Sequence, residues 1–259
     1  MASSVVRFTA VNLAALNKKG MMKKDSNGYY EICLGALNVF NSAGDYYTLS
    51  GAEELFKDQA ILMRRIKSGN LKAEEGHPKR KPGESVDDFV SRALRIEETN
   101  VCAHIAEVRL VQGYGKSLGI PGLEKAVGII GLVKPSGPMG PPLKESFDNP
   151  MEEVNFSIRS TTKDYVERGQ NYKVLTSVIT WDHITEPGIK IATKFNTLST
   201  ESIIGDSFDM PITQRSLERF IEERDLTGIG MEDSSELARE ILKTFKGPVF
   251  QPSLNRKWK

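Results

Sequence analysis

The sequence predicts an α+β protein, a partly closed, mainly antiparallel β-barrel surrounded by helices. Three observations carry this. Segments rich in Val, Ile, Phe, Tyr and Leu recur between residues 4 and 196, bounded by clusters of Gly, Pro, Asn and Asp. They do not alternate with helical patterns, as βαβ units would. The two clearest amphipathic helices come together at the C-terminal end. The chain has 259 residues, of which 39% are apolar and 27% charged, enough to bury one sizeable core across residues 1–259.

Residues 4–11 and 29–40 read as strands. Asn41-Ser42-Ala43-Gly44-Asp45 is a turn, and Tyr46-Tyr47-Thr48-Leu49 is the return strand. Ser50 followed by Gly51-Ala52-Glu53-Glu54 reads as a helix start, with Ser50 as N-cap. Leu55, Ile61, Leu62 and Ile66 form its apolar face, and Gly69 ends it. Residues 71–77 are extended, because Pro78 biases His77 away from helical angles. Ser85 caps a short helix over 85–94. Residues 101–111 form a strand, 113–122 a glycine-rich loop, and 126–133 a strand made less regular by Gly128 and Gly131. Residues 134–142 hold four prolines and two glycines and read as a loop, with one helical turn at 144–147. Strands follow at 154–161, 172–181 and 188–196. Helices follow at 211–224 and 234–245, and the tail from 247 has little core character.

Net charge is +1, which argues against a dedicated nucleic-acid binder. The short basic run Lys79-Arg80-Lys81 reads as a solvated loop. Cys33 and Cys102 sit in apolar segments with no CxxC spacing, so the pattern offers neither a zinc site nor a disulfide framework. They read as buried free thiols in a reducing cytoplasm. No run approaches the ~18 apolar residues of a membrane span. There is no GxSxG elbow and no GxxxxGK phosphate loop.

Three short islands carry candidate chemistry: Glu74-Glu75-Gly76-His77-Pro78, Phe156-Ser157-Ile158-Arg159-Ser160 and Trp181-Asp182-His183-Ile184-Thr185-Glu186-Pro187. Only three histidines occur in the chain. A serine hydroxyl is a poor nucleophile until a base lies within hydrogen-bond reach and a third group orients that base. The islands offer His77, Ser157 and Asp182 for those roles. Strand alternation puts Asn155, Ser157 and Arg159 on one face and Phe156 and Ile158 on the core face. It also sets Asp182 against His183, so only one of the two can face a given site. Each island also has an ordinary reading. A loop histidine, a serine and arginine on a solvent-facing strand, and a polar strand end are all common. His104, between Ala103 and Ile105, reads as structural.

Taken in order, these motifs resemble the prohead proteases of tailed bacteriophages, capsid-maturation serine proteases related in fold to the herpesvirus assemblins. Ala73-Glu74-Glu75-Gly76-His77-Pro78 matches a Gly-Glu-x-x-His-Pro-like stretch. Phe156-Ser157-Ile158-Arg159-Ser160 matches a Val-Ser-x-Arg-Gly-like strand. Asp182-His183-Ile184-Thr185-Glu186-Pro187 matches an Asp-x-Val-x-x-Pro stretch. Ala73 and Ser160 stand where glycine is usual, and Ser160 places a second hydroxyl in the nucleophile's island. The likeness covers roughly residues 70–190.

The resemblance implies an assemblin-like fold and peptide hydrolysis through an acyl-enzyme, with Ser157 as nucleophile, His77 as general base and then acid, and Asp182 orienting the imidazole. His183 is the alternative third member, because the herpesvirus relatives use a second histidine there. Arg159 is expected to have a supporting role at the oxyanion hole, by its side chain, an ordered water or a nearby backbone N–H. The implied substrates are scaffold, core and capsid proteins, cut after glutamate in the prohead interior within the host bacterial cytoplasm. The expected protein is a homo-oligomer with no cofactor, metal, nucleic acid or membrane partner. Self-processing after Glu218 or Glu236, in Ser216-Leu217-Glu218 and Ser234-Ser235-Glu236, would remove part of the helical C-terminal region 211–259. The alternatives are a non-enzymatic phage head scaffold or core protein that shares the fold, and an unrelated β-rich binding module. In the latter, His77, Ser157 and Asp182 would lie far apart.

Overall fold

A computed structural model describes residues 4–10, 22, 24–41, 43–185, 209–227 and 232–246. Its strands are β1 (Ser4–Ala10), β2 (Tyr30–Leu37), β3 (Val39–Phe40), β4 (Tyr46–Thr48), β5 (Lys72–Glu74), β6 (Val101–Val111), β7 (Val127–Pro135), β8 (Asn155–Glu167), β9 (Gln170–Ile184) and β10 (Asp209–Ile212). Its helices are α1 (Ile61–Lys67), α2 (Val86–Ala93), α3 (Tyr114–Ser117), α4 (Gly140–Asp148), α5 (Gln214–Thr227) and α6 (Glu232–Lys246).

The α+β class and the antiparallel character hold, but the expected partly closed barrel is replaced by two sheets. One has the order β10-β1-β8-β9-β4-β3, the other β2-β7-β6-β5. All pairings are antiparallel except β4 with β9. Among the described residues one isolated backbone bridge links the two sheets, Glu75 to His183, just beyond the end of β5. Closure depends on which distant edges pair, and local periodicity carries no information about that.

The β8–β9 hairpin dominates the larger sheet. Its two-residue turn, Arg168-Gly169, takes φ values of 50° and 80°, the left-handed geometry that matches strand twist. Its register sets Ser157 opposite Asp182 and Phe156 opposite His183. Both faces of β8 from Asn155 to Thr162 are buried, so the polar face expected to meet solvent is covered.

The helix expected from Ser50 does not begin there. Gly51 adopts φ 89°, a 3-10 turn covers Glu53–Phe56, and α1 starts only after Ala60. Gly69, at φ 73°, ends it as expected. Ser85 caps α2 by accepting the Asp88 N–H. The proline-rich run is not all loop, since Pro141 and Pro142 open α4. Proline costs little in a first turn, whose N–H groups lack helical partners. The loop at 113–122 contains α3. The expected strand at 188–196 and the tail from 247 lie outside the described residues.

One apolar core lies between the sheets and includes Leu34, Ile105, Val133, Phe147, Phe156, Ile158 and Trp181. A second includes Ile61, Phe89, Val90, Leu217, Phe220, Leu237 and Ile241, joining α1 and α2 to α5 and α6. Such buried side chains each contribute roughly 1.5–3 kcal/mol by leaving water. The C-terminal helices are therefore part of the packed protein.

Candidate active site

Three segments converge at the corner where the sheets meet. Ser157 comes from β8 and Asp182 from β9, opposite each other in the hairpin. His77 comes from the segment after β5. That segment is pinned by Gly76 N–H donating to His183 O (2.7 Å), Glu75 N–H to Asn100 O (2.9 Å) and the Asn100 amide to Glu75 O (2.6 Å). Gly76 takes φ 69°, a turn that glycine makes without strain.

The side chains form a continuous line. His77 Nδ1 lies 2.8 Å from Asp182 Oδ2, and His77 Nε2 lies 2.8 Å from Ser157 Oγ. Ser157 and Asp182 have no exposed surface, and the His77 side chain is 11% exposed. Burial would push the Asp182 carboxyl up, but Arg159 and His77 outweigh it and hold it below its ordinary value. An ionised carboxylate only accepts hydrogen bonds, so His77 Nδ1 carries the proton. In the neutral imidazole Nε2 is then free to accept from the Ser157 hydroxyl.

Arg159 is fully buried and uses all five of its N–H donors. Nε donates to Asp182 Oδ2 (2.9 Å) and Nη2 to Asp182 Oδ1 (2.5 Å), a bidentate fork. Nη2 also reaches Glu74 Oε1 (3.0 Å), and Nη1 reaches the carbonyls of Ala93 (3.4 Å) and Arg95 (3.0 Å). No donor is left over for an oxyanion. Burial works against the guanidinium charge, but Asp182 and Glu74 more than offset it and raise its pKa.

His183 points to the other side of β9. Its Nδ1 lies 2.7 Å from Glu75 Oε2, and its ring meets Phe156 edge-on. His104 sits between the Tyr29 hydroxyl (3.0 Å from Nδ1) and the Gly69 carbonyl (3.0 Å from Nε2), far in sequence from the three islands. Ser160 follows a bulge, and its buried hydroxyl has no hydrogen-bond partner among the described residues.

Glu218 and Glu236 lie inside α5 and α6. Glu218 accepts from Gln214 (2.6 Å), and Glu236 pairs with Arg64 (2.7 Å). Their neighbours Leu217, Leu237 and Ala238 are buried.

The residue to which the motif reading gave no role is Glu74. It is 2% exposed and accepts from both Arg159 and the Glu97 N–H (3.0 Å). The signal was a second acidic residue in the His77 island, but nothing local marks it as buried. Among the described residues, no group of three or more His, Cys, Asp or Glu side chains could hold a metal ion. Among them, too, no helix is long and apolar enough to cross a membrane.

Two phage proteases are similar to this chain. The capsid maturation protease of Pseudomonas phage phiKZ is 36% identical over 194 residues, covering 73% of this chain and 69% of that protein. The structure of the bacteriophage T4 capsid assembly protease aligns with a TM-score of 0.44 and 13% identity, over 70% of this chain and 99% of that one. The model of the peptidase S80 family matches residues 8–242, nearly the whole chain and all three islands. The chain therefore belongs to the peptidase S80 family.

Proposed function

We propose that this peptidase is a serine endopeptidase that cuts head proteins inside a phage prohead during capsid maturation. The observation that carries the catalytic type is the unbroken line from Asp182 through His77 to Ser157, with both contacts at 2.8 Å. The setting comes from its likeness to the phiKZ protease, whose name describes capsid maturation.

In the proposed reaction Ser157 Oγ attacks the substrate carbonyl carbon as its proton passes to His77 Nε2. The tetrahedral intermediate collapses, the C–N bond breaks, and His77 returns that proton to the leaving amine. Water then attacks the acyl-enzyme, with His77 again as base, and frees Ser157. Asp182 holds the tautomer and stabilises the imidazolium. Arg159 acts on the triad through Asp182, since its donors are already engaged. His183 stands outside the line and belongs to Glu75.

Cleavage after glutamate in phage scaffold, core and capsid proteins, and assembly as a homo-oligomer, remain part of this reading. Self-processing after Glu218 or Glu236 would first require α5 or α6 to unwind locally, because a peptidase takes its substrate extended.

The test is labelling with a fluorophosphonate, read by mass spectrometry of the modified peptide. The adduct is expected on Ser157 and absent from a folded Ser157→Ala variant. An adduct on another residue, or undiminished labelling of that variant, would overturn the proposal.

A further inference from the structure

We propose that Glu74 is a positioning residue for the triad. Its carboxylate holds the Arg159 guanidinium against Asp182, and its negative charge lets the buried set accept a proton on His77. This rests on the reading of His77, Ser157 and Asp182 as the catalytic residues.

Arg159 sits between two carboxylates, and its Nη2 alone donates to Glu74 Oε1 (3.0 Å) and Asp182 Oδ1 (2.5 Å). All three groups are almost wholly buried. If Arg159 and Asp182 stood alone, they would form a neutral pair. A positive charge arriving on His77 would then gain little from Asp182 and be opposed by the guanidinium behind it. With Glu74 ionised, the three carry a net charge of −1, and the protonated imidazole brings the cluster to neutrality. Burying charges without compensation is costly, so a neutral total is the arrangement a dry site tolerates best.

Glu74 ends β5, three residues before His77, and its Oε1 also accepts the Glu97 N–H (3.0 Å). One carboxylate therefore ties the His77 segment, the segment after α2 and the β8–β9 hairpin to one point. The groups facing it are Arg159 from β8, Asp182 from β9 and the Glu97 N–H. Nearby, Cys102 of β6 is kept a neutral thiol by burial. Burial holds the Glu74 carboxyl above its ordinary value; Arg159 and the Glu97 N–H oppose this without cancelling it, and Asp182 adds to the rise.

The experiment compares wild type, Glu74→Gln and Glu74→Asp. The rate of fluorophosphonate labelling is followed against pH, and the His77 Nδ1–H proton is titrated by NMR. In Glu74→Gln both midpoints should fall by about one pH unit, a tenfold change in proton affinity. Glu74→Asp should move them back toward wild type. A Gln variant with wild-type midpoints in both readouts overturns the proposal. If the Gln variant does not fold, carbon-13 NMR of glutamate-labelled wild type decides. Glu74 should stay ionised through the His77 titration, and a protonated Glu74 at the His77 midpoint overturns the proposal. Wild type that fails to label at Ser157 counts against the serine-protease reading instead, and the two NMR titrations still judge Glu74.

Discussion

Replacing Arg159 by methionine should destabilise the protein severely, and more so as pH rises. The substitution keeps most of the side-chain volume but removes a guanidinium with no exposed surface. It strands Asp182 and Glu74 as buried carboxylates without their shared counter-ion. Breaking one buried ion pair by removing a partner costs about 3–5 kcal/mol. The carbonyls of Ala93 and Arg95 also lose a donor, and each buried acceptor left unpaired adds about 1–3 kcal/mol. A loss of roughly 5 kcal/mol, at ~2–4 °C per kcal/mol for a chain of this size, lowers Tm by about 10–20 °C.

The pH dependence follows from the sign of each shift. In the wild type Asp182 is held below its ordinary value. Its contribution is present above the unfolded-state pKa and is lost as pH falls through the folded one. In the wild type the Glu74 carboxyl is already raised by burial. In Arg159→Met burial loses its main opponent at both carboxyls, leaving only His77 at Asp182 and the Glu97 N–H at Glu74, so both folded pKa values rise. Each group then favours the fold when protonated and opposes it as pH rises through the raised value. The Tm gap between the two proteins should be widest near neutrality and narrow toward about pH 5. Calorimetric melts across that range are the assay. A variant that melts within about 3 °C of wild type at neutral pH, or a gap that ignores pH, would refute the reasoning.

Two further outcomes are expected. Burial pushes the Cys33 thiol up to about 12 and the Cys102 thiol upward as well. A disulfide reagent such as dithionitrobenzoate should therefore leave both untouched in the native protein and titrate both after denaturation. Prompt reaction of the folded chain would count against the buried placement. Separately, brief digestion with a glutamate-specific endopeptidase should spare the bonds after Glu218 and Glu236 while the protein is folded and cut them once it is denatured. Native fragments ending at either residue would mean that α5 or α6 opens readily.

Much of the candidate site was legible because strand alternation is a strict rule. Asn155, Ser157 and Arg159 had to share a face, and Asp182 and His183 had to part. Pairing across the hairpin then decided which of those two meets Ser157. Partners supplied by backbone from elsewhere were not legible. The carbonyls of Ala93 and Arg95 claim Arg159 Nη1 because α2 ends beside β8, a packing event that leaves no mark on residue types. An arginine two residues from a serine reads locally as an oxyanion helper, yet its long side chain runs to an acid on the next strand. The helix expected at Ser50 does not form there because Gly51 turns left-handed, and the 3-10 turn that follows has Ala52, not Ser50, at its N-cap. Nothing local separated a barrel from two sheets, since the difference lies in which edges remain unpaired.

The bridge between Glu75 and His183 bears on when the site can exist during folding. Ser157 and Asp182 belong to one hairpin and can meet early, as neighbours across a short turn. His77 follows β5 of the other sheet and reaches them only when the corner forms, a contact spanning 105 residues from His77 to Asp182. Contacts that close such long loops form slowly and late. A chain folded only in its hairpin would hold Ser157 and Asp182 without the histidine that joins them. Under the proposed triad, completion of the fold acts as the clock that starts proteolysis.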